Sequence, residues 1–130
     1  MTVYNDVLQA VIGMMNDTGP YATIVIGSNV PSNGICVLPT GAAPSAFFNK
    51  QMLTEWVIAL NGKNSDQNLV YETLNTIHTT LTMTKTYPSA DNFQIYDIET
   101  VSSPSLIGRQ ENDQWIYGSS LRIKFYMKGA

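Results

Sequence analysis

The sequence has little charge, one cysteine and one histidine. Asp, Glu, Lys and Arg make up 13% of its 130 residues, about half of the roughly 25% that is usual. A lone Cys36 forms no disulfide within the chain, and together with a single histidine it excludes the usual Cys/His zinc sites. We therefore predict no metal site and no cofactor.

Thr, Ser, Asn and Gln replace the missing charge. A surface of this kind is less costly to desolvate than one rich in Lys and Glu, and the cores of protein interfaces are depleted of charge. This composition indicates assembly with other chains. The alternative is a soluble monomer with a polar, uncharged surface.

Basic residues are also few. Seven Lys and Arg against ten Asp and Glu give a net charge of −3, which argues against nucleic-acid binding through a broad basic surface, because such binding depends on neutralising phosphates. No run approaches the roughly 18 apolar residues of a membrane span, and the first residues lack the basic segment of a signal peptide. We expect a cytoplasmic chain without a membrane partner.

Residues 64–84 form the segment around which we expect the fold to be organised. They contain neither Gly nor Pro, and they repeat apolar residues at helical spacing: Val70, Leu74, Ile77 and Leu81. Asn64 or Ser65 is the expected N-cap, with Asp66 in the first turn. A second helix is predicted over Val3–Asn16, which ends before Gly19 and Pro20.

The remaining segments are typical of β-strands, at residues 22–27, 35–38, 51–61, 93–101 and 114–128. The first two are expected to pair as a hairpin, and a loop at 39–45 follows them. Residues 51–61 are apolar on both faces, which favours a place in the middle of a sheet. We predict one α+β domain over residues 1–130, in which a mostly antiparallel sheet of about five strands packs against two helices in the order α-β-β-β-α-β-β.

Three features of the sequence are candidates for interaction surfaces. Phe47 and Phe48 follow the predicted loop and need cover, either from the edge of their own core or from another subunit. Residues 109–113 (RQEND) are typical of a solvated turn or a mobile loop tip. The last strand alternates an apolar face with one that carries Arg122, Lys124 and Lys128, which is an anion-binding face, a solvated strand face or a strand edge guarded by Lys. Gly118 in that strand indicates a bulge or a bend.

Catalytic patterns are absent from the sequence. His78 borders the helical stripe without an oriented nucleophile in sight, so we expect a structural histidine. Cys36 lies in an apolar strand, where a thiol is normally inert. Asp97 and Glu99 alternate onto one strand face, and no phosphate-binding glycine loop occurs. We predict that the protein is not an enzyme.

A resemblance to a known family rests on the element order and on three segments: the opening YNDVLQAVI, the central QMLTEWVIALNGKN and the closing WIYGSSLRIKFYMK. Together they resemble the small minor capsid and tail terminator proteins of long-tailed bacteriophages and prophages of Gram-positive bacteria. The resemblance covers nearly the whole chain. Its most characteristic part is the long aromatic C-terminal strand.

The resemblance implies a virion protein that forms a homo-oligomeric ring, usually a hexamer, at the head-proximal end of the tail tube. Such a ring stops tube growth and joins the tail to the head connector proteins. On this hypothesis, neighbouring subunits or the tube protein would contact Phe47, Phe48, Arg109, Glu111 and Asp113. DNA would pass through the lumen without tight binding, along a face that carries Arg122, Lys124 and Lys128.

Two alternatives remain open at this stage. The first is a head-completion or connector-adaptor protein of the same virion neck, which would also be small and oligomeric. The second is a small-ligand binding domain or an uncharacterised enzyme that uses a cavity between sheet and helix, with Trp56 or His78 in its wall.

Overall fold

Two helices and five strands follow one another in the predicted order. A computed structural model describes the backbone of residues 3–27, 30–48 and 51–128, and the side chains of these residues except those of 42–48, 51 and 52. The elements are α1 (Val3–Asn16), β1 (Ile24–Ile26), β2 (Ile35–Phe48), β3 (Gln51–Asn64), α2 (Gln67–Met83), β4 (Phe93–Arg109) and β5 (Trp115–Met127). The α+β fold class is thereby confirmed.

The five strands form one sheet in the order β1-β2-β3-β5-β4. β3 lies at its centre, as its two apolar faces predict. The expected hairpin of the first two strands is wrong, because β1 and β2 are parallel, with Ile24 opposite Ile35. The other neighbouring strands are antiparallel.

The loop predicted at 39–45 is part of a strand. β2 continues to Phe48, and register shifts between Pro39 and Ala42 and between Pro44 and Ala46 absorb its extra residues. Bulges are among the few positions where a strand accommodates proline, which explains why a Pro-containing segment remains paired. Trp56 of β3 strengthens this region, because its Nε1 donates a hydrogen bond to the Thr40 carbonyl at 2.6 Å.

β4 is also longer than predicted. It has 17 residues opposite the 13 of β5, and four register shifts distribute the difference along it. The bulge expected at Gly118 lies instead on the β4 side, because β5 pairs with β3 without interruption. Gly118 allows β4 to approach closely, since a Cβ at this position would lie 2.5 Å from Ile107 Cδ1.

The helices cover one face of the sheet, which we call the inner face. The predicted stripe of α2 is fully buried: Val70, Leu74, Ile77 and Leu81. Its N-cap is Asp66, whose carboxylate accepts from the Leu69 amide at 3.2 Å. The prediction of Asn64 or Ser65 as the N-cap is wrong. β3 extends through Asn64, whose side chain instead accepts from the Asp66 amide at 2.9 Å.

An aromatic cluster joins α1 to the inner face. The ring of Tyr4 lies edge-on to Trp56 and Phe125, with centroids 5.4 and 5.8 Å apart, and Phe125 is fully buried. Alternate residues of β3 and β5 therefore point into the core, and those between them form a partly exposed outer face. Trp56 is thus a core residue.

Candidate assembly surfaces

Five charged side chains form a cluster on the outer face, which we call the ion-pair cluster: Glu55, Asp97, Glu99, Arg122 and Lys124. The register of the three strands places Lys124 between Glu55 and Asp97 and places Arg122 beside Glu99. Arg122 Nη1 donates to Glu99 Oε1 at 2.7 Å. Lys124 Nζ lies 3.5 Å from the same oxygen and 3.8 Å from the carboxylates of Glu55 and Asp97.

The cluster neutralises most of the predicted basic face. It contains two cations and three carboxylates, and the hydrogen bond from Arg122, followed by the charge of Lys124, lowers the pKa of Glu99. Lys128 lies outside the cluster, where its Nζ donates to the Ala90 carbonyl at 2.7 Å. That Arg122, Lys124 and Lys128 face a DNA passage stays a prediction, and the observed ion pairs leave this face little positive charge for holding phosphates.

An open groove of about 420 Å³ adjoins the ion-pair cluster, where the segment between α2 and β4 meets the outer face. We call it the tyrosine groove; its lining includes Lys85, Tyr87, Gln94, Tyr96 and Tyr126. The rings of Tyr96 and Tyr126 stack with centroids 6.3 Å apart, and Tyr96 is 43% exposed. Exposed aromatic side chains held in fixed positions are common anchors in protein interfaces.

Backbone hydrogen bonds fix the wall of this groove. The Ile95 amide donates to the Pro88 carbonyl at 3.3 Å, and the Ala90 amide donates to the Phe93 carbonyl at 2.9 Å. Tyr87 is anchored in turn, because its hydroxyl donates to the Leu81 carbonyl at 2.8 Å. The segment before β4 thus covers the free edge of that strand at its start. The same hydrogen bonds hold the wall of the groove in a fixed position.

The charged segment 109–113 contains the last residue of β4 and most of the turn between β4 and β5, so the predicted turn is confirmed. Arg109 pairs with Asp113, and its guanidinium lies 5.4 Å from the centre of the Trp115 ring. The Gln110 amide donates to the Gln114 carbonyl at 2.8 Å, which closes the turn. Glu111 is exposed. A role of Arg109, Glu111 and Asp113 at a subunit interface stays a prediction.

β4 exposes apolar side chains that were not among the predicted interaction surfaces. Val101 lies in the middle of the strand, Leu106 and Ile107 lie near its end at the turn, and Ile107 is 63% accessible. The bulges of β4 break its period-two alternation, so neighbouring residues such as Leu106 and Ile107 are both accessible. The sequence feature that could have indicated this exposed pair is Leu106 next to Ile107, directly after the Ser/Pro segment 102–105.

The paired end of β2 and start of β3 lie at the other end of the sheet. We call residues 42–48 and 51–52 the β2–β3 tip. The strand register reaches Phe47 opposite Met52 and Phe48 opposite Gln51. The side chains of Phe47 and Phe48 lie outside the described part of the structure, so their predicted interface role stays a prediction.

His78 has a structural role, as the sequence analysis predicts. Its Nε2 lies 2.8 Å from Ser119 Oγ, which itself donates to the Leu60 carbonyl at 2.8 Å, and its Nδ1 lies 2.9 Å from Thr100 Oγ1. Ser119 therefore accepts from Nε2–H and Thr100 donates to Nδ1, which fits a neutral imidazole. Burial lowers the pKa of His78 to about 4, which disfavours the protonated form at neutral pH.

Other chemistry-bearing residues are also accounted for by packing. Cys36 is buried, and burial raises its pKa, so its reactive thiolate form is disfavoured.

Among the described residues, no three Asp, Glu, His or Cys side chains are grouped so as to hold a metal ion. Within the same ranges, every helix is too short or too polar to cross a bilayer.

Comparisons with known proteins give one family and one fold. A family model described as "Bacteriophage tail terminator protein" matches residues 13–127. No curated protein matches the sequence. A chain in the structure described as "Virion of native gene transfer agent (GTA) particle" is similar with a TM-score of 0.56 and 10% identity over 93% of each chain. At that identity the likeness concerns the fold.

Proposed function

The chain belongs to the bacteriophage tail terminator family, and from that membership we propose that it forms a closed homo-oligomeric ring at the head-proximal end of a tail tube. It is a structural protein of the virion, located in the tail and neck. The observation that carries the proposal is the family match, which spans all five strands and α2. In the proposed ring the protein stops tube growth and provides the surface that joins the tail to the head.

A ring requires two different complementary surfaces on each subunit, so that every copy contacts the next by the same rotation. The copy number we propose is six. The low content of charged residues and the exposed apolar side chains at the turn end of β4 support burial against neighbours. The proposed contact residues include Phe47 and Phe48 of the β2–β3 tip and Arg109, Glu111 and Asp113 of the opposite turn.

The chain acts by shape and not by catalysis in this proposal. The one histidine is neutral and buried, and each of its two ring nitrogens forms a hydrogen bond with a hydroxyl group. The pairing of Arg122 and Lys124 with carboxylates, together with the net charge of −3, is consistent with a lumen that lets DNA pass without gripping it.

Deleting the gene from its phage and complementing it in trans tests the proposal. We expect deletion to give tail tubes of uncontrolled length that do not join heads, and complementation by the wild-type gene to restore tails of uniform length. Tails of normal length on joined heads in the deletion strain would contradict the proposal. Electron cryomicroscopy of the neck separates a terminator from a connector adaptor, because the terminator abuts the last ring of the tube and the adaptor abuts the portal.

A further inference from the structure

We propose that the β1 edge of one subunit packs against the turn end of β4 in the next subunit, an inference that rests on the proposed ring. β1 and β4 are the two end strands of the sheet. β1 exposes Val25 and Ile26, which we call the β1 edge patch, and β4 exposes Leu106 and Ile107, which we call the β4 edge patch. The two patches therefore lie on opposite sides of the subunit.

The strand register places the two patches at the same height along the strands. One row of directly paired residues crosses all five strands: Ile24, Ile35, Gly62, Tyr117 and Leu106. The row begins immediately before the β1 edge patch and ends in the β4 edge patch. Rotation about a ring axis repeats a contact without translation along that axis, so the two halves of the contact must lie at equal height on opposite sides of the subunit. With the strands parallel to the axis, the two patches meet both conditions.

Each patch presents one apolar side chain on either face of the sheet. Val25 and Ile26 are consecutive in a strand, so their side chains point to opposite faces. At the other edge, Leu106 is paired with the residue before Gly118, whereas Ile107 lies against Gly118 itself and so on the other face. Two such edges can bury apolar side chains above and below the line along which they meet.

The chain is free of charge at both patches. Residues 18–27, which contain β1, and residues 100–108, which contain the β4 edge patch, include no Asp, Glu, Lys, Arg or His. Exposed edge strands are commonly guarded by charged residues that prevent pairing with other chains, and β1 lacks this protection. Packing the two patches together takes no charge out of water. Because each patch has a matching uncharged, apolar surface on the same chain, its partner is a second copy.

Surfaces beside the patches extend the contact, since four side chains cover less than the roughly 800 Å² per partner of a standard interface. The segment before β1 lines an open groove of about 540 Å³, whose lining includes Asn16, Pro20 and Tyr21. The side-chain carbonyl of Asn16 accepts from the Ile24 amide at 3.0 Å, which holds the groove beside β1. In the neighbouring subunit, the turn at 109–113 directly follows the β4 edge patch and is placed to contact this groove.

Disulfide crosslinking tests the contact in the full chain. Val25→Cys and Ile107→Cys are combined with Cys36→Ala, because Cys36 is paired opposite Val25 and would compete. Four strand spacings of about 4.8 Å separate the two edges by roughly 19 Å, and a disulfide requires Cα atoms within about 7 Å, so a bridge between these positions joins different chains. Under mild copper–phenanthroline oxidation we expect a ladder of linked chains that ends at the ring size.

A matched control combines Val25→Cys with Tyr96→Cys in the same background. Tyr96 is as exposed as Val25, at 43%, but it lies near the other end of β4. We expect this pair to give no ladder. If rings form but the two pairs crosslink equally, the contact is wrong and the ring stands. Wild-type chains that remain monomeric under all conditions, alone and with tube protein, remove both the ring and the contact.

Substitution by lysine gives an independent result. Val25→Lys places a charge in the β1 edge patch, where an exposed strand edge tolerates lysine, and Tyr96→Lys places the same charge away from both patches. We expect Val25→Lys to weaken assembly about tenfold or more, because the charge would lose its water on burial, and Tyr96→Lys to have little effect. Circular dichroism and thermal melting verify that both variants fold. Equal assembly of the two variants would overturn the proposal.

Discussion

Lowering the pH from 7 to 4 should destabilise the protein through its single histidine. The buried imidazole of His78 accepts a hydrogen bond from Thr100 and donates one to Ser119, so it is built to be neutral. Its pKa is about 4 in the folded chain against the ordinary 6.5. Because the unfolded chain binds the proton more tightly, stability is complete above pH 6.5 and is lost as the pH falls toward 4.

The size of the loss follows from the two pKa values. A difference of about 2.5, at 1.36 kcal/mol for each pKa unit, corresponds to about 3 kcal/mol of unfolding free energy. Urea denaturation between pH 7 and pH 4 measures it. The chain has one histidine, so its Cε1 proton resonance reports the pKa of His78 without assignment. A measured pKa near 6.5 would refute the argument.

Two variants separate His78 from the carboxylates. His78→Gln should be less stable than wild type at pH 7, by roughly 1–3 kcal/mol for the disturbed hydrogen bonds, but its stability should change much less between pH 6.5 and 4. Glu99→Gln removes the other group of lowered pKa, whose contribution is lost as the pH falls below the usual value of a glutamate. It should keep the pH dependence above 4.5. Identical pH profiles for wild type and His78→Gln would contradict the assignment.

Further predictions concern the local interactions that define the elements. Asp66→Ala should lower the free energy of unfolding by about 1 kcal/mol, because it removes the N-cap of α2, whereas Asp66→Asn should lower it less, as urea denaturation would measure. Gly118→Ala should cost about 1 kcal/mol, because its Cβ would lie 2.5 Å from Ile107 Cδ1 and 2.9 Å from Asn61 Oδ1, and Ile107→Ala in the same chain should remove the part of that cost that is due to Ile107, as a double-mutant cycle would measure. Additive effects at Gly118 and Ile107 would contradict the proposed contact.

The sequence predicted the elements wherever periodicity and composition agreed. The stripe of α2 and the alternation of β5 both appear in the structure, because burial of one face determines the period. The bounds of α1 also agree with the prediction. These elements carry the core, and their residues are apolar at the positions where the chain must exclude water.

The prediction was wrong where bulges interrupt the period. Pro39 and Pro44 indicated a loop, yet pairing with β3 keeps β2 extended across both register shifts. β4 similarly continues past the expected end at 101. The parallel pairing of β1 with β2 depends on the path of the connection between them, which local composition does not determine.

The candidate site was predicted in part. Arg122 and Lys124 were correctly placed on one face of the last strand, but their neutralisation depends on which strands lie beside it. Asp97 and Glu99 alternate in β4 at the same spacing as Arg122 and Lys124 in β5. This shared spacing could have indicated that the two strands pair, because opposite charges directly across two strands are favourable. The tyrosine groove combines residues of the segment after α2 with residues of β4 and β5, and no local pattern indicated it.

Light scattering of the purified chain, alone and with the tail tube protein, tests whether copies of the chain close into a ring. We expect a closed complex whose mass is a small whole multiple of the 14.3 kDa chain, with six copies as the proposed number, and a cap of this complex on the ends of tubes. A chain that remains monomeric at high concentration, both alone and with tube protein, would contradict it.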